Sequence, residues 1–205
     1  PIYPFNGNAK DATPYSDNGT VNGATLTDDR FGNINSAYSF NGSNQVIQLP
    51  NNSVLEIGTG SHSWSAWFKT SSTSRGGIYR MSGSSNANGV LLDIGNGTPG
   101  RLGCEIGYSP YVYVTSPANN YDDGNWHLFV CVLNRTANTL NMYVDGQLVK
   151  SVNSAALGSS NLVSGASPTI GSLGNPYFDG SIDNLRVYNR ALNVAEVQAL
   201  YHLSD

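Results

Sequence analysis

The chain has 205 residues, a formal net charge of −4, charged residues at 12% and aromatics at 10%, a length that suits one β-sandwich and can bury a core without metal or crosslink. The low charge and the lack of any basic cluster argue against nucleic acid and anionic membrane as partners. No apolar run reaches the roughly 18 residues that insert across a bilayer, and the patterned aromatics argue against disorder.

In chain order, runs rich in Val, Ile, Tyr, Phe and Trp alternate with Gly, Asn, Ser and Asp clusters. They predict strands at Tyr38–Phe40, Gln45–Leu49, Ser63–Lys69, Gly77–Met81, Val90–Ile94 and Leu102–Tyr108. Further strands are predicted at Tyr111–Thr115, His127–Leu133, Thr139–Val144, Gln147–Val152, Thr169–Ser172 and Ser181–Tyr188. Asp145-Gly146 separates two of these runs as a two-residue hairpin turn, because Asp followed by Gly most readily takes up the positive φ such a turn needs. Trp64 and Trp67, three apart, fall on opposite faces of their strand, and at least one belongs to the core. One helix follows Asn193, with Glu196 placed for a capping box and Val194, Val197, Leu200 and Tyr201 on one face. About a dozen short strands and one short C-terminal helix predict an all-β, two-sheet antiparallel jelly-roll sandwich. No linker or long repeat divides the chain, so one domain is expected over residues 1–205. It begins at Pro1 without Met or a signal peptide, and is expected to be part of a larger protein.

Cys104 shares a strand face with Leu102 and Ile106, and Cys131 with Phe129 and Leu133. Two readings stand, a pair of buried free thiols or a cross-strand disulfide, since two cysteines cannot fix their own spacing.

Several motifs occur in a fixed order: Tyr3-Pro4-Phe5-Asn6-Gly7-Asn8, Asp29-Arg30-Phe31-Gly32, Ala37-Tyr38-Ser39-Phe40-Asn41-Gly42, Ser63-Trp64-Ser65-Ala66-Trp67-Phe68, Asp123-Gly124-Asn125-Trp126-His127 and Ser181-Ile182-Asp183-Asn184-Leu185-Arg186-Val187-Tyr188. Together they resemble the bacterial laminin-G-like jelly-roll family of the concanavalin A-like lectin/glucanase superfamily, over nearly the whole chain. The resemblance implies two stacked antiparallel sheets, with attachment to secreted enzymes, adhesins or phage proteins. It also implies a structural calcium tying the N-terminal segment to the last strand. On matching positions, Asp183 would supply a carboxylate, Asn6 or Asn8 an amide oxygen, and Asn41-Gly42 a side-chain or main-chain oxygen. Asn41 stands where the family often has Asp, which removes a charge from that site. The other reading makes these Asn residues turn formers and Asp183 a strand-end residue.

Glycoside hydrolysis, known in the superfamily, needs two carboxyls facing each other about 5–9 Å apart. The chain has three glutamates, Glu56, Glu105 and Glu196, none with an acid two residues on. Glu105 stands alone on its strand, and nothing in the sequence brings Asp93 opposite it across the sheets. His62, His127 and His202 have no nucleophile-elbow context around them. A binding role fits better than catalysis. Tyr79, Tyr108, Tyr111 and Tyr113 lie outside the framework motifs, with Arg80 beside them. Aromatic rings stack on the C–H faces of sugars while polar groups fix the hydroxyls. The plainer reading has these tyrosines paving a sheet face. The expected function is a non-catalytic carbohydrate-binding or adhesion module of an extracellular or cell-surface protein. A structural or protein-interaction spacer is the alternative and a glycoside hydrolase the distant one. The expected partners are a glycan or polysaccharide and the other domains of the parent protein, with no nucleic acid and no membrane insertion.

Overall fold

The computed structural model describes residues 1–82, 88–118 and 120–203. Along the chain run β1 (Ile2–Tyr3), β2 (Thr20–Asn22), β3 (Thr25–Thr27), β4 (Ala37–Asn41), β5 (Val46–Gln48), β6 (His62–Lys69), β7 (Gly76–Met81) and β8 (Val90–Ile94). Then come β9 (Leu102–Gly107), β10 (Tyr111–Thr115), β11 (Trp126–Asn134), β12 (Thr139–Val144), β13 (Gln147–Asn153), β14 (Thr169–Ile170), β15 (Asp179–Tyr188) and the helix α1 (Val194–Tyr201). Every expected strand is present. The three unforeseen ones, β1 to β3, have only two or three residues, too few to show a period of two.

One sheet has the order β13-β12-β11-β6-β15-β4-β3, with β1 beside β15; the other has the order β10-β9-β8-β7-β14-β5-β2. All pairings are antiparallel. The sheets stack into the expected sandwich, and β1 pairs Ile2 with Arg186 and Tyr3 with Leu185 of the last strand. Asp145 and Gly146 both have positive φ, 50° and 77°, in the turn between β12 and β13, which matches the right-handed strand twist.

The inner faces of both sheets meet in one core. Trp64, Ala66 and Phe68 of β6 enter it beside Phe129, Cys131 and Leu133 of β11, opposite Leu92 and Cys104 of the other sheet. Cys104 and Cys131 form a disulfide. Because β9 and β11 lie in different sheets, the bond pins the two layers together rather than linking neighbouring strands.

The outer face of the first sheet carries a second apolar cluster. Trp67, Leu128, Val130, Val132 and Tyr143 are covered there by Leu192 and Val197, so Trp64 and Trp67 do face opposite ways. The capping box of α1 is formed as expected, Asn193 accepting from the Glu196 amide and Glu196 reaching back to the Asn193 amide. Its apolar face is narrower than the sequence suggests. Val197 is buried and Leu200 packs on the cluster, whereas Val194, in the first turn, is 50% exposed.

His62, at the start of β6, is buried with its ring stacked on Trp64 at 5.8 Å. Burial disfavours its charged form and pushes its pKa down to about 4. Below the unfolded-state value of about 6.5 the unfolded chain takes up a proton that the folded chain refuses. Stability therefore falls as pH drops from about 6.5 to about 4, by about 3 kcal/mol from this group. Urea unfolding of wild type and His62→Leu between pH 7 and pH 4 should show the difference between their stabilities shrinking or reversing by that amount. Parallel pH profiles for the two proteins would rule this out.

Candidate functional site

The outer face of the second sheet is open. Antiparallel register places Arg80 of β7, Leu91 of β8, Glu105 of β9 and Tyr113 of β10 side by side in one row across four strands. All four are partly exposed, while their chain neighbours Met81, Leu92, Cys104, Ile106, Val112 and Val114 point into the core. Arg80, Leu91 and Glu105 of this row form the floor of a cleft of about 280 Å³, and Tyr113 lies outside its lining. One wall is Tyr108, at the β9–β10 turn; the other is the segment bearing Leu173, Asn175 and Pro176 before β15. A shallower depression continues from Glu105 and Tyr108 to Tyr111. Tyr108 and Tyr111 stand clear of the sheet, 44% and 61% exposed.

The charged groups beneath the cleft are arranged unequally. Asp93 is 1% exposed and held by Arg75, whose Nε and Nη2 both donate to its Oδ2, at 2.8 and 2.6 Å. Burial pushes the Asp93 carboxyl up despite that guanidinium. It lies diagonally across from Glu105 on the neighbouring strand, because Leu91 pairs with Glu105 and Asp93 with Gly103. Gly103 must lack a side chain: a Cβ there would strike Asp93 Oδ1 and the Tyr113 hydroxyl. Arg80 Nη1 donates to the Leu173 carbonyl at 2.7 Å, tying the floor to the wall. Among the described residues no hydrogen bond or ion pair engages the Glu105 carboxylate, whose pKa is raised by burial and then by Asp93, against Arg75.

Of the residues expected to bind ligand, Arg80, Tyr108, Tyr111 and Tyr113 are thus brought to one face. Tyr113 is half withdrawn, its hydroxyl accepting from Asn96 at 3.3 Å. Tyr79 is a correction: it is fully buried in the core and cannot reach a ligand. The cause is a register shift between Gly77 and Tyr79 that turns both Ile78 and Tyr79 inward. Glu105 and Arg75, which also line the cleft, were not foreseen as part of it. The alternation of β9, with Leu102, Cys104 and Ile106 inward, already places Glu105 outward; the Leu173–Pro176 wall had no local signal.

The expected calcium ligands do not converge. Asp183 is fully buried on the outer face of the first sheet, paired in register with Trp67, and Arg30 Nη1 donates to its Oδ2 at 2.8 Å. Asn6 is exposed at the surface. Asn8 folds back locally, its Nδ2 donating to the Asn6 carbonyl and its Oδ1 accepting from the Lys10 amide. Asn41 caps its own turn by accepting from the Ser43 and Asn44 amides. Gly42 donates its amide to the Phe178 carbonyl, and a Cβ there would press on the Asp179 side chain. A guanidinium already occupies the carboxylate on which that site depends, so this donor set does not fit a calcium ion. Among the described residues no group of three His, Cys, Asp or Glu side chains is arranged to hold a metal.

The chain is thus a two-sheet antiparallel jelly-roll sandwich with an open cleft on the outer face of one sheet. A laminin G model of the concanavalin A-like lectin/glucanases superfamily matches residues 41–198. The chain belongs to that family. No curated protein matches the chain in sequence. Among solved structures it is similar to domain 4 of AbnA, a GH43 extracellular arabinanase from Geobacillus stearothermophilus, determined in complex with arabinotriose. The TM-score is 0.69 at 23% identity, over 98% of this chain and 96% of that one. It is also similar to the binding domain of Paraclostridial Mosquitocidal Protein 1 (TM-score 0.73, 15% identity, 94% and 48% covered). The botulinum neurotoxin serotype D binding domain is similar as well (TM-score 0.69, 16% identity, 92% and 47% covered). The chain spans about half the length of these toxin binding domains. At such identities the likeness is one of fold.

Proposed function

We propose that the domain is a non-catalytic carbohydrate-binding module that holds a secreted or cell-surface protein against a glycan. The observation that carries this reading is the cleft: a floor of Arg80, Leu91 and Glu105, walled by Tyr108 and opening toward Tyr111. Exposed rings beside fixed polar groups suit the alternating C–H and hydroxyl faces of a sugar. The arabinanase domain of the same fold, determined with arabinotriose bound, supports the same ligand class. The inter-sheet disulfide favours an oxidising, extracellular setting, and no described helix is long and apolar enough to cross a membrane. Catalysis is disfavoured because Glu105 is the only carboxylate among the described residues lining the cleft, whereas glycoside hydrolysis requires two facing carboxyls. Asp93 lies beneath it, buried and clamped. Calcium has no part in this reading at Asp183, which Arg30 holds.

Titration with neutral oligosaccharides tests the proposal. Tyr108→Ala and Tyr111→Ala should each weaken binding by on the order of 1 kcal/mol, about fivefold, with nearly unchanged melting temperature because both rings are exposed. Full affinity in both variants would remove the site from this cleft. An absence of binding across a broad glycan array would favour the protein-interaction spacer instead.

A further inference from the structure

Resting on the cleft reading above, we propose that Glu105 sets the specificity of the site, selecting uncharged sugars that present a pair of hydroxyl donors and rejecting acidic ones. The argument begins from spent and unspent hydrogen-bonding capacity. Arg75 directs two of its donors at Asp93. Arg80 directs one at the Leu173 carbonyl. Both guanidinium groups therefore have donors committed to the protein, although both side chains line the cleft. The Glu105 carboxylate, in the middle of the same row, accepts no hydrogen bond and forms no ion pair among the described residues. An ionised carboxylate only accepts, through two oxygens. A half-buried acceptor of this kind needs donors, and neighbouring hydroxyls of one sugar ring supply two at the right separation.

Charge decides between the candidate donors. The formal charges gathered at the cleft floor are Arg75 and Arg80 against Asp93 and Glu105, which balance. A balanced site draws in neither a cation nor an anion by its long-range field. At short range Glu105 is the member with no hydrogen bond or ion pair among the described residues, so a uronate or sialate carboxyl brought onto it would meet a like charge at close distance. An amino sugar's ammonium would gain an attraction to Glu105 but meet the two guanidiniums, Arg75 and Arg80, that line the same cleft. A neutral sugar stacked on Tyr108 meets neither penalty, and its hydroxyls gain charge-assisted hydrogen bonds, the stronger class.

The experiment is isothermal titration of the purified domain with three size-matched probes: arabinotriose, a galacturonic acid trimer and a glucosamine trimer. Wild type, Glu105→Gln and Tyr108→Ala are compared. Wild type should bind the neutral trimer at least tenfold more tightly than either charged one. Glu105→Gln should lose at least tenfold on the neutral trimer, the loss typical of a hydrogen bond to a charged group. It should also narrow the gap to the uronate and keep the wild-type melting temperature, since Glu105 supports no other described side chain. Tyr108→Ala should weaken neutral binding without narrowing that gap. If Tyr108→Ala weakens binding and Glu105→Gln does not, the cleft reading stands and the role of Glu105 falls. A wild-type preference for the uronate or the amino sugar overturns that role in the same way. If no trimer of any charge binds, the cleft reading falls and takes the assignment with it.

Discussion

Replacing Arg30 with methionine should destabilise the domain by about 3–5 kcal/mol, the range for breaking a buried ion pair by removing one partner. The side chains of Arg30 and Asp183 are 5% and 0% exposed and meet at 2.8 Å. The guanidinium lies between the rings of Phe31 and Trp67, 4.3 and 4.6 Å from their centroids, and donates to the Leu203 carbonyl. One residue thus joins the segment after β3, the last strand and the end of the chain beyond α1. Methionine keeps much of the apolar stem but removes the guanidinium from which the buried Asp183 carboxylate accepts. Asp183→Asn in the Arg30→Met background should recover a large part of the loss, because no ion then remains in the apolar setting. The double-mutant cycle by urea unfolding should give a coupling of a few kcal/mol. A loss below about 1 kcal/mol for Arg30→Met would show that the pair is as weak as an exposed salt bridge.

Removing the disulfide should have a comparable effect by a different route. Cys104 and Cys131 are separated by 27 positions and join the two sheets. In the chain-entropy model a loop of that length, kept closed in the unfolded state, is worth about 3.5 kcal/mol. In a domain of this size the melting temperature should fall by roughly 7–14 °C on loss of the bond. The reduced wild type and the Cys104→Ala/Cys131→Ala double variant should both show it, the double variant slightly more because it also leaves small voids in a packed core. Both sulfurs are fully buried, so a reductant should act on native protein only as fast as the domain opens. Equal melting temperatures for the oxidised and reduced proteins would mean that core packing alone sets the spacing of the sheets.

These two expectations differ in how far the sequence alone leads to them. The strands themselves are local features. The alternation in Leu102–Tyr108 and Tyr111–Thr115, the Asp145-Gly146 turn and the Asn193–Glu196 capping box each rest on a few adjacent residues. Backbone preference and side-chain period act over that range, and the order of the motifs sufficed for the architecture. Four of the five residues expected to bind ligand also lie on the open sheet face, since they fall on or beside neighbouring antiparallel strands. Tyr79 failed because β7 is apolar on both faces up to Tyr79, and only the pairing with β8 reveals the register shift that turns it inward.

Tertiary structure alone decided the rest, and each case involves partners distant along the chain. Arg30 and Asp183 are separated by 153 positions; the sequence marks Asp183 as an oxygen donor but cannot say whether a metal or a guanidinium meets it. Whether the two cysteines bond depends on the gap between opposed sheets. The Leu173–Pro176 wall reaches the cleft because β14 inserts between β7 and β5. Glu105 is partly shielded from water only because that wall and Tyr108 stand on either side of it. A carboxylate fully in water has its acceptors filled; partly desolvated and unpaired, it favours a ligand that brings donors.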